Sequence, residues 1–134
     1  MKICVDTNVI LDVLLAREPW YAAAVRLLSE IENASHTGFL CPTTVTTIAY
    51  LIQKEKGSSV TKRLLGHLLS IFDLTELSKD VFTSALSHPI KDYEDAVLHE
   101  SARISGMDLI VTRNARDFQN ASLPVYSPEE IIHL

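Results

Sequence analysis

The sequence predicts an α/β fold in which helices cover both faces of a parallel sheet of four to five strands. Short apolar runs typical of buried strands alternate with longer segments of helical periodicity. The length of 134 residues and the apolar content of 47% indicate one domain, residues 1–134, with one core. Because crossovers between parallel strands are right-handed, the strand ends that lead into helices are expected at one edge of the sheet.

The N-terminal part is predicted to form one strand and two helices. Lys2–Val5 is a β-branched run ended by an Asp-Thr-Asn turn, which indicates a buried strand. Asn8 is the expected N-cap of the following helix, in which apolar residues recur at helical spacing. Pro19 closes that helix and suits the first turn of the next, which is predicted to continue over Ala22–Ile31.

The middle of the chain is predicted to form a strand and two helices. Phe39–Cys41 follows a turn and is the second predicted strand. The segment Pro42–Lys54 begins with proline, which favours a first helical turn. Gly57 is expected to end this helix, and one of the two serines in Ser58–Ser59 is expected to cap the next helix, Val60–Ile71.

The C-terminal half is predicted to alternate strand and helix in the same way. Each strand is short and apolar or β-branched, and each helix follows a capping residue. The predicted elements are strand Phe72–Thr75, a helix from the cap Ser78 to Ser87, helix Tyr93–Gly106, strand Leu109–Thr112, a fifth strand Val125–Tyr126 and a last helical turn capped by Ser127.

Acidic residues lie next to the predicted strand ends. Asp6 follows the first strand directly and Asp117 lies a few residues past the fourth, so both are expected at one edge of the sheet. Asp92 and Asp95 open a helix at a spacing that also fits a capping box. Each acid alone is compatible with a cap or a turn. Together, these carboxylates would hold a divalent cation of the kind that hydrolyses phosphodiesters.

The segment after the fourth strand combines oxygen ligands with cations. Thr112, Asn114 and Asp117 contribute a hydroxyl, a carboxamide and a carboxylate, and such donors suit Mg²⁺ or Mn²⁺. Arg113 and Arg116 lie between them, and arginine suits phosphate. Turn chemistry is an alternative explanation of the carboxamide and the carboxylate. The pattern favours a site for a metal and a phosphate group.

The charge and the cysteines narrow the class of protein. The net charge of −5 argues against a protein that coats nucleic acid through a broad basic field, but not against a nuclease whose acids bind metal. Cys4 and Cys41 lack metal-binding spacing and are expected to be buried, reduced thiols. No apolar leader and no run of ~18 apolar residues is present, so we expect a cytoplasmic protein without membrane contact.

Several segments together resemble the PIN-domain family. The similarity follows the family's order and spacing over essentially the whole chain. More narrowly, the chain resembles the small bacterial PIN proteins that include VapC-type toxin ribonucleases. The segments that carry the resemblance are Asp6–Asp12, Asp92–Ala96, Thr112–Asn114 with Asp117–Phe118, and Pro128–Glu130.

The resemblance implies a metal-dependent endoribonuclease with a three-layer α/β/α sandwich fold, using Mg²⁺ or Mn²⁺. Family members commonly form homodimers, and the toxins are silenced by a small antitoxin, so both are expected partners beside the RNA substrate. The implied site residues are the metal ligands Asp6, Asp95 and Asp117 and the nearby catalytic residues Asp92, Asn114 and Thr112. The candidates for binding the RNA phosphates, chosen for their chemistry, are Arg113 and Arg116.

The chain departs from the family on one helix. The family has an acid on the helix after the second strand, but no carboxylate occurs within Pro42–Tyr50. The expected position falls near Thr47, whose hydroxyl is a weaker metal ligand. Glu94, Asp92 and Asp12 are candidates to replace the missing charge.

This departure keeps a second hypothesis open, namely a PIN-fold module that binds nucleic acid without cleaving it. Cleavage of RNA with added metal would discriminate between the two. A phosphoacceptor receiver domain also places acids at strand ends, but no lysine follows a late strand in a suitable place. Labelling with a small phosphodonor would distinguish that third class.

Three other groups of residues are interpreted as structural. Five histidines without zinc-ligand spacing are expected on the surface or in hydrogen bonds, namely His36, His67, His88, His99 and His133. A small basic cluster is more typical of a solvated helix face than of an RNA groove, and comprises Lys54, Lys56, Lys62 and Arg63. Aromatic residues expected in the core or in dimer contacts are Trp20, Tyr21 and Tyr50.

Overall fold

The computed structural model describes residues 1–134, which form five strands and seven helices. In chain order these are β1 (Lys2–Val5), α1 (Thr7–Leu14), α2 (Tyr21–Glu32), β2 (Thr37–Leu40), α3 (Pro42–Lys56), α4 (Ser58–Ile71), β3 (Asp73–Leu74), α5 (Lys79–Leu86), α6 (Tyr93–Ile104), β4 (Leu109–Val111), β5 (Val125–Tyr126) and α7 (Pro128–Ile132). A short 3₁₀ turn, Ala115–Phe118, follows β4.

The strands form one sheet in the order β3-β2-β1-β4-β5, and all neighbours are parallel. β1 lies in the middle, where Ile3 pairs with Gly38 of β2 and with Leu109 of β4. The predicted three-layer α/β/α sandwich is therefore confirmed, with five strands. Receiver domains have the order β2-β1-β3-β4-β5, so the observed order argues against the receiver hypothesis.

Alternate residues of β1 point to opposite faces of the sheet, and this divides the core in two. Ile3 and Val5 pack with apolar residues of α1, α2, α3 and α4, whereas Cys4 packs with residues of α5 and α6. Cys4 and Cys41 are free and buried, as predicted. Burial, and then the neighbouring Cys41 and Asp6, raise the pKa of the Cys4 thiol, so this thiol stays protonated at neutral pH.

Several helix ends differ from the prediction because contacts outside the helix decide them. Asp6, not Asn8, is the N-cap of α1, since its side chain accepts the first helical N–H. Pro19 lies in a turn before α2 and not in its first helical turn. Gly57, with a φ of 82°, ends α3 as predicted but also serves as the N-cap of α4, which begins directly at Ser58.

The exposure of surface side chains tests the expectations for the aromatic residues and for the basic cluster. Trp20 and Tyr50 are 41% and 61% exposed, so the expectation of core positions is wrong for both, while a dimer contact stays a prediction. The basic cluster on α3 and α4 is exposed, as expected of a solvated helix face. None of the helices combines the length and the hydropathy that crossing a membrane requires.

Candidate metal centre

Asp6 stands at the carboxyl edge of the sheet because the backbone continues the β1–β4 pairing through it. Its N–H donates to the Val111 carbonyl at 2.9 Å. One carboxylate oxygen accepts the Thr7 N–H at 2.7 Å, and the other accepts the Thr112 hydroxyl at 2.8 Å. Asp6 is buried. Burial raises its pKa against these hydrogen bonds, and the charges of Glu94 and Asp117 raise it further.

Asn8 connects the two strand ends that form this edge. Its amide nitrogen lies 3.3 Å from Asp6 Oδ2 and 3.3 Å from Thr112 Oγ1, and its Oδ1 accepts the Arg113 N–H at 3.2 Å. The Thr112 hydroxyl also accepts the Asn114 N–H at 3.1 Å. The sequence predicts Asn8 only as a helix cap. A polar residue two positions past a strand-end acid was the available signal of its role at the edge.

The start of α6 brings two more acids to the same place. Asp92 is the N-cap of α6, and its Oδ1 accepts the Asp95 N–H at 3.0 Å, so the capping explanation holds for Asp92. Asp95 is half-buried. Burial, followed by the charges of Asp6, Asp92, Asp117 and Glu94, raises its pKa to about 7. Asp95 therefore carries a proton in a large fraction of molecules at neutral pH.

The predicted acids thus lie near enough to one another for their charges to interact. Each acid lies close enough to shift the pKa of a neighbour, and the set comprises Asp6, Asp92, Glu94, Asp95 and Asp117. No three of their carboxylates have oxygen atoms within 4.8 Å of one another, so side-chain rotations are needed for a single ion to bind three of them. Oxygen donors and mutual repulsion of this kind suit a hard divalent cation.

Of the threonines near the missing acid, Thr44 is the one that contacts the edge of the site. Thr44 on α3 is buried and its Oγ1 lies 3.1 Å from Thr7 Oγ1, while Thr47 is half-buried. Among the candidates for the missing charge, Glu94 affects the pKa of both Asp6 and Asp95. The additional carboxylates beside Asp6 and Asp95 therefore come from the start of α6 and not from the N-terminal part of α3.

The prediction that Asp12 could replace the missing acid is wrong, because Asp12 is buried and forms two ion pairs. Its Oδ1 lies 2.8 Å from Arg17 Nε, and its Oδ2 lies 2.8 Å from Arg113 Nε. Arg113 Nη2 also donates to Oδ1 at 3.2 Å, and the guanidinium stacks over the Trp20 ring at 3.8 Å from its centroid. Nη1 is the Arg113 nitrogen that these contacts leave for another ligand.

Two cavities open beside the acids. One, of about 360 Å³, lies between the segment before α6 and the 3₁₀ turn with the residues that follow it. It is lined by Ile90, Lys91, Asp92, Arg116, Asp117, Gln119 and Asn120. The other lies over the segment after β4 and is lined by Arg113, Asn114, Ala115, Arg116 and Asp117. Both contain Arg116 and Asp117, so the acidic cluster opens onto a groove with cationic side chains.

A buried polar network lies behind the first cavity. Glu100 accepts hydrogen bonds from His99 Nδ1 at 2.8 Å, from Arg103 Nη2 at 3.0 Å and from the Ser84 hydroxyl. Burial opposes ionisation of Glu100, but these hydrogen bonds outweigh it and lower its pKa to about 2. His99 is buried and hydrogen-bonded, as one of the two sequence alternatives proposed.

This network has the composition of a metal site but not its hydrogen-bonding pattern. The ligand atoms of His88, His99 and Glu100 lie within 4.8 Å of one another. However, His88 Nδ1 accepts the Ile90 N–H at 3.1 Å, and His99 Nε2 accepts the Ser122 N–H at 3.0 Å. In a neutral imidazole the other nitrogen then carries the proton, so both rings direct an N–H, not a lone pair, toward the carboxylate.

The sequence matches the profile of the PIN domain over residues 2–116, and the chain belongs to the PIN-domain family. PIN domains are generally nucleases and typically use divalent metals. The resemblance inferred from the strand-end acids is thereby confirmed. A comparison with curated proteins finds no match.

Solved structures share this fold at low sequence identity. A chain of the VapBC2 complex of Rickettsia felis, bound to a promoter DNA fragment, has a TM-score of 0.70 and 15% identity, covering 95% of this chain and 98% of its own. A toxin-antitoxin complex from Klebsiella pneumoniae gives 0.71 and 22%, covering 94% and 97%. VapC20 of Mycobacterium tuberculosis, a Sarcin-Ricin loop cleaving toxin, gives 0.64 and 16%, covering 81% and 86%.

Proposed function

We propose that this PIN-domain protein is a divalent-metal-dependent endoribonuclease. The observation that carries the proposal is the convergence of acids at the carboxyl edge of the sheet, where burial and neighbouring charge raise the pKa of Asp95 to about 7. Such strongly perturbed carboxylates in a groove are typical of functional sites. The open groove with Arg116 beside the acids suits an extended, single-stranded substrate.

In this proposal Asp6, Asp95 and Asp117 hold Mg²⁺ or Mn²⁺. Bound there, the cation would activate water and stabilise negative charge on the scissile phosphate. Thr112 orients Asp6 by donating its hydroxyl, and Asn114 is held next to the site by its hydrogen bond to the same hydroxyl.

The remaining predicted residues have supporting roles. Asp92 fixes the first turn of α6, and its charge contributes to the raised pKa of Asp95. Arg116 is the main candidate for binding phosphate, because no ion pair of the chain involves it. Arg113 has only Nη1 for that purpose, since Asp12 and Trp20 engage the rest of its guanidinium.

The biological setting is proposed from similarity. The likeness of the fold to chains of a VapBC2 complex and of another toxin-antitoxin complex supports a toxin whose partner is a small antitoxin, acting as a homodimer in the cytoplasm. Exposed Trp20 and Tyr50 are candidates for contacts with a second copy. Co-expression with the product of an adjacent reading frame, followed by size-exclusion chromatography with light scattering, tests both partners.

The metal requirement gives the direct test of the reaction. Cleavage of single-stranded RNA is expected to stop in EDTA and to return with Mg²⁺ or Mn²⁺. Products should carry 5′-phosphate and 3′-hydroxyl ends, because water activated by a bound cation would attack the phosphorus with the 3′ oxygen as leaving group. Mass spectrometry of the products distinguishes these ends from cyclic phosphates. Cleavage that persists in EDTA, or cyclic products, would contradict the proposal.

Replacing Asn8 tests whether the strand-end contacts position Asp6. Asn8→Ala removes the amide near Asp6 and Thr112, and we expect the rate of RNA cleavage to fall about 10- to 100-fold with weaker Mg²⁺ binding. Calorimetric titration with Mg²⁺ separates this from a loss of stability. Asn33→Ala, at an exposed helix end, is the matched control. An unchanged Mg²⁺ affinity in Asn8→Ala would limit Asn8 to a structural role.

The absence of a carboxylate from Pro42–Tyr50, the N-terminal part of α3, favours one alternative, a PIN module that binds RNA without cleaving it. In that case the protein should bind single-stranded RNA with no cleavage under any metal. Introducing the acid by Thr47→Asp or Thr47→Glu would then be expected to confer metal-dependent cleavage. Retained inactivity of both variants would point to another cause.

A further inference from the structure

We propose that the cavity between the segment before α6 and the segment Ala115–Asn120, which contains the 3₁₀ turn, is a subsite for one nucleotide, in which Gln119 reads the base and Lys91 and Arg116 bind its phosphate. This inference deepens the proposed function, since it assigns a substrate-reading residue to the same groove. The cavity of about 360 Å³ includes Asp92 and Asp117, so a nucleotide bound there adjoins the acidic cluster. Its size lies within the usual range for small-ligand pockets.

The cations of this cavity are available for an anion. Lys91 and Arg116 lie on opposite segments and line the same cavity. Both are exposed, and none of the five ion pairs of the chain uses either of them, although Asp92 and Asp117 stand in the same lining. A phosphate group between the two cations would gain charge-assisted hydrogen bonds from both segments.

The carboxamide of Gln119 is the group suited to a base. It lines the cavity and is exposed, with one donor and one acceptor side by side. Nucleobase edges present adjacent donors and acceptors, and carboxamides pair with them in two parallel hydrogen bonds. In single-stranded RNA these edges are unpaired and open to such contacts. Buried Ile90 supplies an apolar wall for the base.

The two walls are held in place before a ligand binds. His88 accepts the Ile90 N–H in one segment, and His99 accepts the Ser122 N–H just past the end of the other. Asn120 Nδ2 donates to the Pro89 carbonyl at 3.4 Å and joins the segments directly. A subsite with fixed walls costs less entropy on binding and discriminates better between bases.

Titration with nucleoside 5′-monophosphates tests the subsite without any need for cleavage. AMP, CMP, GMP, UMP and inorganic phosphate are added separately to ¹⁵N-labelled protein, and affinities are taken from amide shifts near Lys91 and Gln119. One nucleotide is expected to bind about tenfold more tightly than the others. Gln119→Ala should make the four nucleotides equal, whereas Lys91→Ala and Arg116→Ala should weaken all four and phosphate alike.

The control is Gln53→Ala, an exposed glutamine of α3 away from the cavity, which should preserve the base preference. Absence of nucleotide binding, equal affinity for all four, or a preference that survives Gln119→Ala would overturn the subsite. Binding of inorganic phosphate as tightly as every nucleotide would reduce it to an anion site and also reject base reading. A protein that discriminates between nucleotides but cleaves no RNA would keep the subsite and reject the proposed nuclease activity.

Discussion

Asp95→Asn is expected to lower the rate of RNA cleavage by at least about a thousandfold. A metal ion contributes several kcal/mol to stabilising charge in such reactions, and each 1.4 kcal/mol is about tenfold in rate. Asp95 is one of the three proposed ligands, and asparagine at this position removes the negative charge. Rates are measured in saturating Mg²⁺ on one single-stranded RNA. A variant with more than about a tenth of the parent rate would exclude Asp95 as a ligand.

The same substitution should stabilise the metal-free protein at high pH. The pKa of Asp95 is raised from 3.8 to about 7 in the folded chain, so the folded state binds the proton more tightly than the unfolded state. The contribution of the Asp95 carboxyl to the free energy of unfolding is therefore fully present below about pH 4 and is lost as the pH rises through about 7. Asp95→Asn removes this loss, and its melting midpoint should exceed that of the parent at pH 8 in EDTA.

Asp80→Asn is the matched control, because Asp80 is an exposed acid in the first turn of α5. Its midpoint should show no such gain at pH 8. A large fall in the midpoint of Asp95→Asn would mean that Asp95 is mainly structural. Mg²⁺ should raise the midpoint of the parent at pH 8 and have little effect on Asp95→Asn, since ligands stabilise only the state that binds them.

Glu100→Ala is expected to destabilise the fold by about 3 kcal/mol, which corresponds to a fall in the melting midpoint of roughly 10 °C. The substitution leaves the fully buried His99 N–H without an acceptor and removes the partner of Arg103 and Ser84. Unpaired polar groups in the interior carry the full cost of desolvation. Urea unfolding monitored by circular dichroism measures the change.

Two control substitutions distinguish the loss of the Glu100 hydrogen bonds from the general effect of placing alanine in a helix. Arg103→Ala removes only the half-exposed partner and should cost about 1 kcal/mol, because His99 and Ser84 still satisfy Glu100. Glu55→Ala, an exposed glutamate on α3, should have almost no effect. The pKa of Glu100 is lowered to about 2, so its contribution is present above about pH 4.5 and is lost as the pH falls toward 2. Equal stability of Glu100→Ala and the parent would show that the network is dispensable.

The local pattern of the sequence was sufficient to predict most strands and helices and to place the acids at the edge of the sheet. Lys2–Val5 and Val125–Tyr126 form the predicted strands, because alternation and turn residues are properties of neighbouring positions. Asp6 and Asp117 could be placed at one edge from the rule that parallel strands end together. Helix ends were less predictable. The N-cap of α1 is Asp6 and not the predicted Asn8, because the Asp6 side chain accepts the first helical N–H.

The sequence by itself determined the α/β architecture, the family and the identity of the strand-end acids, because periodicity and motif spacing carry that information along the chain. Only the tertiary structure decided which side chains pair. Asp12 and Arg113 are 101 positions apart and Asp6 and Thr112 are 106 apart, while His99 reaches Ser122 across the start of the groove. Such pairs leave no local pattern, because tertiary contacts bring them together, as the pairing of β1 with β4 does for the first two.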